Sequence, residues 1–494
     1  MYKKPVIALL IIIFINIMLL GYSMLYSYTD NLWVKKNIRF LTLAKIFSFT
    51  DDETNVAADS LLQAYLSNTV SNDSILRRDN ISKIGPKKQN IFLYNPEVGD
   101  ERALDNFFEH ILLKKDSLVI RIAHYGDSQL EGDRMSYVIR QKMHKKFGGS
   151  GIGYVPMKDL APVSYIRKNS RNWKRYTVFH DKYNTNFYGL SGTVCLFTKY
   201  AVMQEEESDS LKTNIPETEP AENDVAVYYN AHVIVKAGTK YSYNNISFLY
   251  GNTDEKCVVN FYDNNNGTKI TTDTLTPSRG VCMHKTNIGN VLNIKIEFLA
   301  DQSPDFYGMY FDSYHGVQVD NYAIRGHSGD GLLMIDDNHL AKMLQITNTK
   351  LIIFQYGANA VPYIRSEKVC DAIGDIYYKL FMKFKKAAPD ISILVIGAGD
   401  MASGGDGGYT SYRWLPKINE MQKNAAFKAG CAYWDLFNMM GGANSILVWT
   451  KRNLAVTNGH FSAQGQEIVA NEIVEALMIE YNNYIHQKKN KNLN

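Results

Sequence analysis

Hydrophobic positions fall into three textures along this chain of 494 residues. An unbroken apolar run extends from Pro5 to about Tyr26. From Leu118, apolar residues form a strand-like run that stops at Gly126-Asp127-Ser128. Met135, Val138, Ile139, Met143 and Phe147 then recur three and four apart, which is one face of a helix. After Asp312 that texture returns. The stretches "GVQVDNYAIRG", "KLIIFQYGANA", "DISILVIGAGDMA" and "CAYWDLF" read as strands with helical segments between them. A last helix carries Val469, Ile473 and Leu477 on one face, with Ser462 as its N-cap. Buried strands alternating with helices predict a parallel sheet covered on both faces. Between the two halves, from about Ser164 to Asp312, the apolar period drops to two. "AVYYNAHVIVKA", "CVVNFYD" and "VLNIKIEFLA" are separated by turn clusters such as "DNNNG", as in an antiparallel β-sandwich.

The predicted organisation is one α/β domain over 91–163 and 313–487, interrupted by a sandwich over 164–312. Residues 31–90 are mixed and polar and read as a stem or linker. The first 30 residues read as a transmembrane helix, because a bilayer-spanning helix needs roughly 20 apolar residues. Lys3 and Lys4 before the run place the N-terminus in the cytoplasm and the remainder outside it. A cleaved signal peptide is the alternative, although "GYSMLYSYT" offers only a poor cleavage site.

Charge and composition add limits. Lys plus Arg number 54 against 50 Asp plus Glu, a balance that gives no reason to expect nucleic acid. The 33 tyrosines suit half-buried strands and also sugar-binding faces. None of the five cysteines lies in a zinc-like spacing. Cys257 and Cys282 can pair if the sandwich lies outside the cytoplasm; two free thiols are the alternative. "FGGSGIGYVP" is rich in glycine but lacks the closing GK[ST] of a phosphate loop. "QEEESDSLKTNIPETEPAEND" is acidic and poor in apolar residues, a solvated loop.

Functional residues of an open α/β sheet sit at the C-terminal ends of its strands. There the chain places Ser128, then Arg325-Gly326-His327-Ser328, then Gly357-Ala358-Asn359. His460 comes just before the last helix. A serine is a weak nucleophile until a base takes its proton, and His460 is suited to that at neutral pH. Attack on an ester leaves a negative oxygen that needs fixed donors. The amide N–H groups of Ser128 and Gly326 and the side-chain amide of Asn359 can supply them. A helix beginning just after Ser128 is expected to add its own N–H groups.

Together these residues resemble the four blocks of the SGNH (GDSL-type) hydrolase superfamily. "YGDS" resembles the first block, "NYAIRGHSGDGL" the second, "QYGANA" the third and "GHFSAQG" the last. "GDSQLEGDRMSYVIRQKMHKKFGGSGIGYVP" further resembles the bacterial O-acetylesterase branch acting on peptidoglycan and other polysaccharides. Its members carry a carbohydrate-binding-like β-sandwich between the first and second blocks. The resemblance implies a flavodoxin-like doubly wound sheet, a Ser128 nucleophile, a His460 base and no cofactor or metal. It implies an exported, membrane-anchored esterase that removes O-acetyl groups from a cell-envelope polysaccharide or peptidoglycan. The chain would sit in the bacterial inner membrane with one span and its catalytic domain in the periplasm. An O-acetyltransferase using the same acyl-enzyme, with a membrane-bound O-acyltransferase as partner, is a second expectation.

One position departs from the family. An Asp normally lies two or three residues before the histidine, where it orients the imidazole and stabilises its charged form. Here Thr457 and Asn458 occupy those places. Three expectations follow: a Ser128–His460 dyad with Asn458 or a backbone carbonyl orienting the ring; a substitute acid, Asp435 or Asp400; or a non-catalytic glycan-binding protein.

Overall fold

A computed structural model describes residues 86–92, 102–158, 165–179, 181–183, 185–201, 227–228, 230–238, 242–289, 291–405 and 408–491. The apolar run near the N-terminus, the stem up to residue 85 and the acidic loop lie outside the described residues. Among the described residues, no helix is long and apolar enough to cross a membrane.

Five parallel strands form the central sheet. In spatial order they are Gly316–Ala323, Val119–Gly126, Thr349–Gln355, Ser392–Ile396 and Ala432–Trp434. Numbered along the chain, that order is 2-1-3-4-5, the flavodoxin-like arrangement. Alternate side chains of each strand enter opposite cores. Ile120, Ile122, Leu351 and Ile353 pack with Phe107, Ile139 and Val469 of one helical layer. Ala123, Tyr125, Ile352 and Phe354 pack with Leu340, Phe381 and Ala426 of the other. Both faces are covered, so these strands read as near-continuous apolar runs. The first strand lies between the second and third, at the switch point where such sheets bind ligands.

The insert is two packed antiparallel sheets. One holds Ile166–Asn169, Asn230–Lys236, Asn293–Leu299, Cys257–Asp263 and Lys269–Leu275. The other holds Trp173–Thr177, Thr193–Phe197, Asp305–Asp312, Asn245–Gly251 and Cys282–Asn287, and Gly153–Val155 pairs with its central strand. Trp173, Val233, Phe248, Phe261 and Phe298 fill the space between them. The sandwich therefore begins before residue 164. Gly153–Val155 has only three residues, too short for its period to separate it from the preceding loop. Cys257 and Cys282 are both free.

The sandwich is fastened to the α/β sheet along Asp305–Asp312, which is buried throughout. Phe306, Met309 and Phe311 enter the sandwich core, while Tyr307 and Tyr310 enter the core shared with the α/β sheet. Gly308 lets the Tyr154 ring cross this strand, since a Cβ there would lie 2.2 Å from that ring. Arg121 of the central strand donates to Asp312 and Asp320, and its guanidinium lies 4.3 Å from the Tyr310 ring centre. A buried charge is tolerated when paired in this way. The insert is thereby fastened to the first two strands of the chain order.

Candidate active site

Ser128 sits two residues past Gly126, the last residue of the central strand. The expected helix does not start there. Leu130 N bonds Asp127 O and Asp133 N bonds Leu130 O, so two turns intervene before the helix Arg134–Phe147. Asp133, the residue just before that helix, is in a left-handed conformation (φ 58°) and pairs with the buried Arg140. The helix dipole thus begins six residues beyond Ser128, and the N–H groups near the serine belong to the turn.

Residues 128 and 460 meet across the sheet end, with Ser128 Oγ 2.8 Å from His460 Nε2. The His460 loop is a tight turn: Gly459 N donates to Val456 O and Val456 N to His460 O. Asn458 Oδ1 lies 3.2 Å from the His460 backbone N and 3.0 Å from its Nδ1. The backbone N–H can only donate, so the Asn458 atom facing it must be the oxygen. That same oxygen faces Nδ1, so Nδ1 carries the ring proton. Nε2 is left as an acceptor for the Ser128 hydroxyl, the tautomer a general base requires.

The remaining acid candidates are turned away. Asp400 accepts from Ser411 Oγ, Ser445 Oγ and Ile446 N, fixing the hairpin Ala402–Ser411 and the start of the helix Ser445–Lys451. Asp435 caps its own short helix through Asn438. Thr457 meets the hairpin through its carbonyl, which accepts from Ala402 N. None of these three is bonded to His460. Proximity to a strand end in sequence does not set where a carboxylate points.

Crowding around the imidazole, and secondly the charge of Arg325, hold the His460 pKa below its ordinary value. His460 is therefore neutral at pH 7 and able to accept a proton. Arg325 is fixed nearby by an ion pair with Glu131 at 2.6 Å.

Two backbone N–H groups expected to face a negative oxygen, those of Ser128 and Gly326, are unpaired among the described residues. Gly326 has φ 73°, a conformation that favours glycine. Asn359 is committed differently from the expectation. Its Nδ2 donates to Asp127 Oδ2 at 3.1 Å and to His327 O at 3.0 Å, which uses both hydrogens.

Two residues escaped the sequence reading. Gln129 clamps the histidine loop: its Nε2 donates to Gly459 O and its Oε1 accepts from Phe461 N, on either side of His460. Gln466 in turn donates to Gln129 O. The only hint was an amide beside the nucleophile. Asp127 is the other. It is buried, its Oδ1 accepts from Gln129 N, and burial pushes its carboxyl up to about 6.

This makes a stability prediction. A carboxyl raised from its ordinary value of 3.8 favours the folded state fully below about pH 4, and that contribution is lost as pH rises through about 6. Two units correspond to about 3 kcal/mol. Denaturant unfolding at pH 4 and pH 8 is expected to show Asp127→Asn gaining stability over the wild type as pH rises. A stability difference that does not change with pH would contradict the assignment.

No family model matches the chain, and no curated protein matches it. Among solved structures, a peptidoglycan O-acetylesterase matches 79% of this chain and 99% of its own, at 17% identity and a TM-score of 0.59. This chain shares the fold of that protein. More partial likenesses include an acetyl xylan esterase, with 32% of this chain and 81% of that one covered, 16% identity and a TM-score of 0.26. Another is an acetyl xylan esterase from the rumen bacterium Butyrivibrio proteoclasticus, with 51% and 90% covered, 11% identity and a TM-score of 0.23. The parallel sheet brings Ser128, Asn359 and His460, spread over more than 300 residues, to one sheet end.

Proposed function

We propose that this chain is an exported serine esterase that removes O-acetyl groups from a cell-envelope polysaccharide or peptidoglycan. The observation that carries the reading is the 2.8 Å contact between Ser128 Oγ and His460 Nε2, with the ring proton held on Nδ1 by Asn458. The likeness to a peptidoglycan O-acetylesterase over 79% of this chain supports the substrate class. The apolar run after Lys3 and Lys4 supports a membrane anchor with the catalytic domain in the periplasm.

His460 Nε2 takes the Ser128 proton as Oγ bonds to the acetyl carbonyl carbon. The N–H groups of Ser128 and Gly326 receive the negative oxygen. Asn359 Nδ2 joins them if it releases His327 O. As the intermediate collapses, His460 gives the proton to the departing sugar oxygen and acetyl remains on Ser128. Water repeats the sequence, with His460 again as base, and acetate leaves. The orienting group is the neutral Asn458, so the tautomer is secured and the imidazolium gains no ion pair. The expected enzyme is competent but slow.

Acetate release from O-acetylated peptidoglycan and from acetylated xylan tests the reading. Release dependent on Ser128 and His460 is expected from at least one. No release from either, with p-nitrophenyl acetate also untouched, would favour a glycan-binding role. Acetyl found on an added sugar hydroxyl would instead favour transfer, with a membrane-bound O-acyltransferase as the plausible donor partner.

A further inference from the structure

We propose that a cleft between the inserted sandwich and the α/β sheet binds a carboxylate of the glycan, and that Arg175 grips it with Lys158 alongside. The proposal rests on the esterase reading and narrows its substrate to a carboxylate-bearing glycan.

The cleft has a volume of about 500 Å³ and opens at Gly326, the residue whose N–H faces the developing oxyanion. One wall comes from the ends of the α/β strands, through Asn321 to Gly326. The other comes from the sandwich, through Arg175, Thr177 and Phe179. Phe179 reaches over Gly326, whose Cβ position lies 3.5 Å from that ring. A glycan bonded to the acetyl group under attack therefore has the sandwich wall beside it. Part of that wall is a chain of hydroxyls: Tyr154 Oη lies 2.8 Å from Ser191 Oγ, which lies 2.7 Å from Thr193 Oγ1. Hydroxyls of this kind suit a sugar.

The charges set the preference. The buried guanidiniums of Arg121 and Arg140 each bind carboxylates of this chain. Arg175 does not. Its side chain makes no hydrogen bond or ion pair among the described residues, and its Nε is shut from solvent without an acceptor. A buried donor left unpaired is destabilising, and a ligand acceptor would remove that cost. Lys158 Nζ donates to Trp173 O and has no carboxylate partner among the described residues. The anions lining the cleft are mostly engaged: Glu131 by Arg325 and Asp133 by Arg140, which leaves Asp181 at the exposed rim. A guanidinium fork matches a carboxylate in two-pronged fashion.

That carboxylate can belong to a uronic acid or to the lactyl-peptide arm of peptidoglycan. Calorimetric titration of the full-length Ser128→Ala protein, which cannot turn over, separates the sources. The probes are an oligogalacturonate, a muramyl-peptide disaccharide and a neutral xylo-oligosaccharide. At least one acidic probe is expected to bind 10-fold or more tightly than the neutral one, and the one that does so identifies the source. Adding Arg175→Gln is expected to erase that preference, and Arg175→Lys to retain part of it, with melting temperatures confirming that both fold. The proposal is overturned if no acidic probe is preferred, or if the preference survives Arg175→Gln. Binding is read without catalysis, so either result leaves the esterase reading standing; that reading fails only if wild-type acetate release is absent or independent of Ser128.

Discussion

Replacing Ser128 by Ala is expected to lower kcat on p-nitrophenyl acetate by at least about 10⁴-fold, because the acyl-enzyme can no longer form. His460→Ala should cause a loss of similar size, and the double variant should lose little more than either alone. Residues that act as one unit show this failure of additivity. The 2.8 Å bond between Ser128 Oγ and His460 Nε2 is the structural reason to treat them as a unit. Nearly additive losses would mean that the pair does not act in concert.

Asn458→Asp is expected to raise activity. Asn458 already fixes the tautomer, so the substitution adds only the charge that the neutral amide lacks. A hydrogen bond to a charged group is worth about 1.5–3 kcal/mol, which corresponds to about 10–100-fold in kcat. The aspartate would also favour the imidazolium, against the crowding and the Arg325 charge that now depress it. The His460 pKa should therefore rise, and the acid limb of the kcat/KM profile should move to higher pH. A variant with more activity and an unmoved acid limb would show that the gain came from elsewhere. A variant with less activity would show that the turn geometry needs the amide.

The parallel sheet was legible because both its faces are buried, so that its strands read as apolar runs between helical patterns. Ser128 and His460 were legible from their places at a strand end and before a helix, joined to the spacing of the four blocks. The partner of His460 was left open among Thr457, Asn458, Asp400 and Asp435, because it depends on which atom a tight turn directs at Nδ1. Asp400 shows the limit well. Its position after a strand suggested catalysis, yet its oxygens hold a hairpin that no periodicity announced. The helix after Ser128 was expected too early, since two turns and the left-handed Asp133 separate it from the serine, and apolar periodicity does not report them. Arg175 was equally invisible: its significance is the absence of a partner among the described residues, which only the packed structure establishes.

The central claim is an acetyl group carried on Ser128 and removed with the help of His460 and Asn458. Mass analysis of peptides after rapid mixing of the full-length protein with p-nitrophenyl acetate and acid quenching tests it most directly. The predicted result is one acetyl group on the peptide containing Ser128, persisting longer when His460 is replaced after acylation has been forced with excess ester, and absent from Ser128→Ala. Acetate release with no acetyl on that peptide, or with acetyl on another residue that turns over at the catalytic rate, would contradict the account.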